Sequence, residues 1–351
     1  MTRRWMTATA ALVLLASSSL PAFAATTTPS QPPPATETRD SFKANLPAQL
    51  PVQKPQPLFV DLPETHWAYT AVIKLIKAGA ISAVPGGKFR PEEPVTRAEL
   101  FKMVLIARKI DPAGKCEAAF FDVPCTAWYA PYAETAYRMA IAEGVGNRLF
   151  APEDPVTREQ LYTIVVRSLG KRWAAHQQTW DEINAALAPF SDRAEIDYYA
   201  RPPLALALKE KLTAGYPDGT LRPKAVATRA EAAALVSRIV LETEGLQSIT
   251  LDGHKVVFSK QVDLIASKYT IDEPDVGNIT YTGVTVRTGA VAVDPTVIPL
   301  GTLLYVEGYG YAVAVDIGGA IKGNRIDLFS WEPGKEAYLF GLQPRKVWIL
   351  P

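Results

Sequence analysis

Histidine, cysteine and an excess of either charge are what this chain has least of. It holds three histidines and two cysteines in 351 residues, and its 37 lysines and arginines are offset by 36 aspartates and glutamates. His66, His176 and His254 are not spaced with Cys116 and Cys125 as zinc ligands would be, so no metal site and no cofactor is expected. No histidine stands in a motif suited to a serine protease or a metalloprotease. A formal net charge of +1, with no basic cluster interleaved with aromatics, leaves no case for nucleic-acid binding. Past the N-terminus no run reaches the roughly 18 apolar residues needed to cross a bilayer, so no transmembrane anchor is expected in the mature chain.

What is present begins with an export signal over residues 1–24. Arg3 and Arg4 supply the positive start, Ala11 to Leu15 the apolar centre, and Ala22-Phe23-Ala24 a small-x-small cleavage site. Residues 25–58, with Pro32-Pro33-Pro34 among many other prolines, favour extended conformations and read as a spacer. Cys116 and Cys125 sit close enough in sequence for a disulfide to close a small loop in an oxidising compartment; a pair of buried thiols is the alternative.

Residues 59–241 repeat one unit, over about 59–110, 120–169 and 190–241. The copies open on Phe59-Val60-Asp61, Phe121-Asp122 and Phe190-Ser191-Asp192. They continue through Trp67-Ala68-Tyr69, Trp128-Tyr129 and Tyr198-Tyr199, and close on Thr96-Arg97-Ala98-Glu99, Thr157-Arg158-Glu159-Gln160 and Thr228-Arg229-Ala230-Glu231. Val72, Leu75, Ile76 and Gly79 keep helical spacing, and each closing threonine, with Glu or Gln three residues on, forms a capping box at the start of a second helix. A unit of this size cannot bury its apolar faces alone, so the copies should pack together. Residues 170–189, with Trp173 and Trp180, read as a helical insertion, and Arg201-Pro202-Pro203 as an interruption of the third copy's first helix.

This pattern resembles the S-layer homology (SLH) repeat. The resemblance implies attachment to an anionic cell-envelope polymer, often a pyruvylated secondary cell-wall polysaccharide, in grooves between repeats. Arg97, Arg158 and Arg229 offer planar forks suited to sugar carboxylates, and Trp67, Trp128 and Tyr199 offer faces for stacking. The alternative is that each arginine pairs with a nearby carboxylate.

After a linker at 242–254, residues 255–351 become β-rich. Short strands are expected at 255–258, 280–286, 290–293, 303–306, 312–317 and 346–350, with a hairpin at Glu307-Gly308-Tyr309-Gly310. The fold class is therefore multidomain: an all-α repeat region and an all-β, six-stranded closed barrel. Asp294, Asp316 and Asp327 each follow an apolar or alternating run, as carboxylates at converging strand ends would; satisfying turns is the alternative.

Val291-Ala292-Val293-Asp294-Pro295, Ile298-Pro299-Leu300-Gly301 and the run Asp316-Ile317-Gly318-Gly319-Ala320-Ile321-Lys322-Gly323-Asn324-Arg325-Ile326-Asp327 closely resemble the 3D domain, named for three aspartates. That family looks like the catalytic double-psi β-barrel of the lytic transglycosylase A group, which cuts peptidoglycan glycan strands between N-acetylmuramic acid and N-acetylglucosamine. The resemblance makes Asp327 the catalytic acid and base, with Asp316 and Asp294 in support. Such an enzyme needs one proton-transfer carboxyl, because the muramic acid's own C6 hydroxyl attacks and leaves a 1,6-anhydro end. Asp327 must then hold its proton well above the usual carboxylate range, and two neighbouring carboxylates would push it there. Lys322, Gly318, Gly319, Gly323, Tyr281 and Thr282 are the expected substrate contacts. Ile317 stands where the family usually has threonine. The whole reading is an exported, envelope-anchored wall-remodelling enzyme. The alternatives are a peptidoglycan hydrolase or a non-catalytic protein that binds glycan.

Overall fold

The computed structural model describes residues 57–351, apart from 84, 113–115, 274–275 and 333; the expected export signal and nearly all of the proline-rich spacer lie outside them. Each copy supplies two helices: α1 (Tyr69–Ala78) and α2 (Arg97–Ala107), then α3 (Ala130–Arg138) and α4 (Arg158–Ser168). The insertion forms α5 (Arg172–His176) and α6 (Trp180–Leu187), and the third copy forms α7 (Arg201–Lys209) and α8 (Arg229–Ser237). Two of the three capping boxes are complete and the third is half made, since Thr157 Oγ1 has no hydrogen-bond partner among the described residues. The Thr96 and Thr228 hydroxyls accept the Glu99 and Glu231 N–H groups, the threonine N–H groups donate back to the glutamate carboxylates, and Gln160 takes the Thr157 N–H at 3.1 Å. Arg201-Pro202-Pro203 begins α7 instead of interrupting it. Prolines in a first turn lack only N–H groups that have no acceptor within the helix.

The copies close on one another in a ring. The first-turn amides of α2, Arg97 and Ala98, donate to Asp154 O and Pro152 O of the second copy. Those of α4, Arg158 and Glu159, donate to Ala225 O and Pro223 O of the third, and those of α8, Arg229 and Ala230, return to Glu93 O and Pro91 O of the first, all at 2.9–3.1 Å. The orphan donors of each helix are thus satisfied by its neighbour, so no copy is complete alone. Asp61, Asp122 and Asp192, the openers' aspartates, each take two backbone amides of their own copy's turn, at 2.6–3.1 Å. This holds Arg90, Ala151 and Arg222 at left-handed φ of 60°, 55° and 52°. Cys116 and Cys125 are joined as a disulfide, with Cα atoms 5.5 Å apart.

The remaining chain forms β1 (Gln247–Leu251), β2 (His254–Phe258), β3 (Lys260–Tyr269), β4 (Ala290–Val293), β5 (Leu303–Val306), β6 (Gly310–Asp316), β7 (Arg325–Phe329), α9 (Gly334–Phe340) and β8 (Gln343–Ile349). β3 to β8 close into a six-stranded barrel in the order β3-β7-β4-β6-β5-β8. The strand expected at 255–258 instead pairs with β1 in a separate hairpin, which reaches into the stretch read as a linker. Residues 280–286 are a loop held by an isolated bridge between Ile279 and Thr285. β3 and β7 are the barrel strands that the sequence pattern missed.

Two apolar cores result. Leu264, Val291, Leu304, Ala314, Ile326 and Val347 fill the barrel. The other core runs through the repeats onto the barrel's outer wall at Tyr269, Val313, Phe329 and Trp348. Arg287, 1% exposed, crosses this junction from the barrel side, donating to Tyr137 O, Ala142 O and Glu143 Oε2 at 2.8–3.3 Å. At Gly289, with φ of 100°, a Cβ would sit 2.3 Å from Arg138 O, so only glycine permits this approach. Among the described residues no helix is long and apolar enough to cross a membrane.

Candidate active site

Asp327 lies within β7, not at a strand end. Its register partners are Ser267 on β3 and Ala292 on β4. Between β4 and β6 the pairing runs Val291 with Ala314 and then Ala292 with Asp316, skipping Val315. The bulge brings Asp316 level with Ala292, a common use of bulges beside functional groups. Ser267, Asp327, Ala292 and Asp316 therefore form one row across four adjacent strands. The residues that alternate with this row, among them Ala266, Ile326 and Val291, fill the barrel, so the row lies on the outer wall. Two strand spacings put the backbones of Asp316 and Asp327 about 10 Å apart, with Ala292 on the strand between them.

The Asp327 carboxyl is raised from 3.8 to about 6. Burial is the first cause; Ser267 opposes it with a hydrogen bond, Glu273 adds a like charge, and Arg325 pulls downward. Oδ1 is buried and has no hydrogen-bond partner among the described residues. The expected elevation is present, but burial and Glu273 produce it, not the other two aspartates.

Asp316 Oδ1 accepts the Tyr281 and Ile317 backbone N–H groups at 2.9 and 3.0 Å. Neither contact uses a side chain of its donor, so Ile317 in place of threonine leaves both intact. Asp294 is committed elsewhere. Its Oδ1 accepts from Thr296 N and Oγ1 at 2.9 and 2.7 Å, and its Oδ2 takes Gly323 N at 2.7 Å. Gly323's amide, then Thr296, pull it down to about 2, with a further contribution from Lys322. Asp294 thus fastens the loop between Asp316 and Asp327, and Lys322 acts electrostatically on Asp294.

Among the other expected contacts, Tyr281 is exposed, and its ring lies 5.7 Å from that of Trp173 in α5. Thr282 is buried and spends its hydroxyl on Val315 O at 2.9 Å, so it fixes the end of β6 instead of lining a groove. A Cβ on Gly318 would meet Ile321 at 2.7 Å, whereas a Cβ on Gly319 or Gly323 would meet nothing within 4 Å. Ser267, Tyr269 and Glu273 were not anticipated. Their signal was the polar alternation of β3, unread because no strand was assigned there.

In the repeats the three arginines are clamps between copies. Arg97 Nε donates to Phe150 O at 2.7 Å, Arg158 Nε to Leu221 O at 3.1 Å and Arg229 Nε to Phe89 O at 2.8 Å. Arg158 also pairs with Glu231 at 2.8 Å, and Arg229 with Glu99. Gln160 occupies the equivalent place opposite Arg97. Arg97 and Arg158 are only 6% and 7% exposed. Trp67, 62% exposed, still joins Arg158 in a cleft of about 730 Å³ with Tyr216 and Glu231. Trp128 lines another of about 690 Å³ with Lys109 and Lys255, and Arg97 a third of about 440 Å³ with Arg167 and Tyr199.

The S-layer homology domain matches residues 58–101, 120–161 and 189–233, and the 3D domain matches 289–351. Over 195 residues, 56% of this chain, the sequence is 30% identical to the exoglucanase XynX of Acetivibrio thermocellus, covering 17% of that protein. A stretch of 75 residues, 20% of this chain, is 48% identical to the cell wall-binding protein YocH of Bacillus subtilis, covering 26% of it. The chain thus spans about a quarter or less of the length of these relatives. The lytic transglycosylase MltA of Escherichia coli is similar at 25% identity over 22% of this chain and 29% of its own, with a TM-score of 0.19.

Proposed function

From a cell-surface, extracytoplasmic chain that carries three S-layer homology repeats and a C-terminal 3D domain, we propose a wall-anchored lytic transglycosylase that cuts peptidoglycan glycan strands. The observation that carries this reading is Asp327: a partly buried carboxyl, held near pH 6, on the outer wall of the barrel. A proton donor must keep its proton close to working pH, and an outer wall is where a polymer can lie. Asp327 protonates the leaving glycosidic oxygen, then as carboxylate takes the proton from the muramic acid C6 hydroxyl as that oxygen closes on the anomeric carbon. The proton count returns to its start, and no water is consumed.

Asp316, fixed by two backbone amides, offers a negative charge across Ala292 for the cationic character that develops at the sugar ring. Asp294 shapes the loop that presents Gly319, Lys322 and Gly323 to the glycan. The strand order, with β3–β7 and β4–β6 parallel, supports a double-psi barrel. The repeats tie the enzyme to an anionic envelope glycan, with Trp67 and Arg158 as contacts in the cleft of about 730 Å³.

Release of soluble fragments from purified peptidoglycan tests the reading. The unmutated protein should release them at pH 5, where Asp327 is protonated, and the Asp327→Asn protein should not. Equal release by both would remove Asp327 from the reaction. A second reading, glycan binding without cleavage, is favoured by the name of YocH, a cell wall-binding protein; under it neither protein releases fragments and both sediment with the wall.

A further inference from the structure

Asp327 is followed on β7 by Leu328 and Phe329 and then by Ser330 and Trp331, and these four residues line a cavity of about 630 Å³. That volume suits a short peptide and lies inside the usual range for bound ligands. At about 3.3 Å per residue, the lining runs from roughly 3 to 13 Å beyond Asp327 along the chain. Its floor is fixed. The Tyr309 hydroxyl donates to Phe329 O at 2.8 Å, and Lys268 stands opposite Leu328 in the β3–β7 register. Trp331 is 61% exposed and edge-on to Phe329, with ring centroids 4.8 Å apart at 90°, so much of its ring is left to solvent.

The cavity is lined by charges of both signs. Arg138 pairs with Glu117 at 2.8 Å, and Lys268 with Glu332 at 2.5 Å. Arg345 and Glu307 also line it, and neither has a partner of opposite charge among the described residues. Arg345 bonds the Gln343 side-chain oxygen and lies over the Phe340 ring at 5.5 Å, while Glu307 accepts the Lys346 N–H at 3.2 Å. Glu307 N also donates to Lys346 O at 3.0 Å, so the two unpaired groups stand on neighbouring strand ends without meeting. Water would satisfy either one alone. What sets them apart is that both line one cavity with an open indole ring.

Peptidoglycan carries a ligand of matching chemistry. Each muramic acid bears, on its lactyl group, a short peptide with free carboxylates and, where it is not cross-linked, a free amine on its diamino residue. The peptide leaves the same ring whose anomeric bond Asp327 acts on, so it starts beside that carboxyl. Three to five extended residues span about 10–18 Å, enough to follow the lining to Trp331. We propose that this cavity takes the peptide stem: Arg345 binds a stem carboxylate, Glu307 binds the free amine, and Trp331 packs on the alanyl methyl groups. Peptidoglycan as the polymer at Asp327 is the premise of that assignment. The site then selects peptide-bearing wall glycan over a bare strand of the same sugars.

The test is calorimetric titration of the unmutated full-length protein with the synthetic tripeptide L-alanyl-γ-D-glutamyl-diaminopimelate, which holds no glycosidic bond to cut. The tripeptide should bind. Amidating its carboxylates, or acetylating its amine, should each weaken binding about tenfold or more, the scale of a lost hydrogen bond between charged groups. Arg345→Gln should weaken the free peptide as much and leave the amidated one unchanged, and Glu307→Gln should do the same toward the acetylated one. No binding, or binding indifferent to capping, overturns the proposal, and neither result needs a variant to fold. Folded variants that bind the free peptide as well as the parent overturn it too. Peptide binding by a protein that releases no wall fragments keeps the site and defeats only the catalytic reading.

Discussion

Replacing Asp327 by asparagine should make the protein more stable at alkaline pH while ending its activity. Burial keeps the carboxyl protonated up to about pH 6 in the folded chain, against an ordinary 3.8. The folded state therefore binds this proton more tightly than the unfolded one, and stability falls as pH climbs from about 4 through 6, then levels off. At about 1.4 kcal/mol per tenfold change in proton affinity, the ionised side chain costs about 3 kcal/mol above pH 7. Asparagine keeps the shape and can still bond Ser267, but it carries no charge to desolvate. Allowing for the partial exposure of the site, a gain of about 1–3 kcal/mol is expected at pH 8, and almost none at pH 4, where the native carboxyl is already neutral. Urea unfolding at the two pH values measures both differences with one pair of proteins. An Asn variant no more stable than the parent at pH 8, or stabilised equally at pH 4, would refute the claim that Asp327 is held against its charge by burial.

Two further outcomes follow from the same contacts. Asp294→Ala should loosen the loop between Asp316 and Asp327, seen as faster hydrogen exchange at the Gly323 amide; because the Asp294 carboxyl is held down to about 2, the native amide should itself lose protection as pH falls toward that value. Arg158→Ala breaks a clamp between the second and third copies but leaves Glu231 its bonds from Tyr216 Oη and Thr228 N, so it should cost about 1–3 kcal/mol in unfolding experiments, whereas truncating Arg222, in an exposed pair with Asp218, should leave stability nearly unchanged.

What the sequence made legible was local. The Thr96–Glu99 and Thr228–Glu231 boxes depend on residues three apart, and they stand as expected. So does the closed barrel of six strands. The misreadings concern partners far away in the chain. Lys255–Phe258 has the composition of a barrel strand, but it pairs with β1, which was read as linker. β3 carries Asp263 in step with its outer face but also Lys260 and Lys268 in step with the core residues Leu264 and Ala266, which broke its alternation. Arg229 meets the Phe89 carbonyl 140 residues away, and only closure of the ring of copies reveals that. Asp294 and Asp327 belong to one motif, yet a short turn binds the first and burial beside Ser267 and Glu273 holds the second. No spacing rule separates those fates.

The central claim is that Asp327 transfers a proton while the sugar's own hydroxyl does the cutting. Mass analysis of the ends released from purified peptidoglycan tests it most directly. The account predicts 1,6-anhydromuramic ends from the unmutated protein and none from Asp327→Asn. Reducing ends that take up oxygen from labelled water would contradict it.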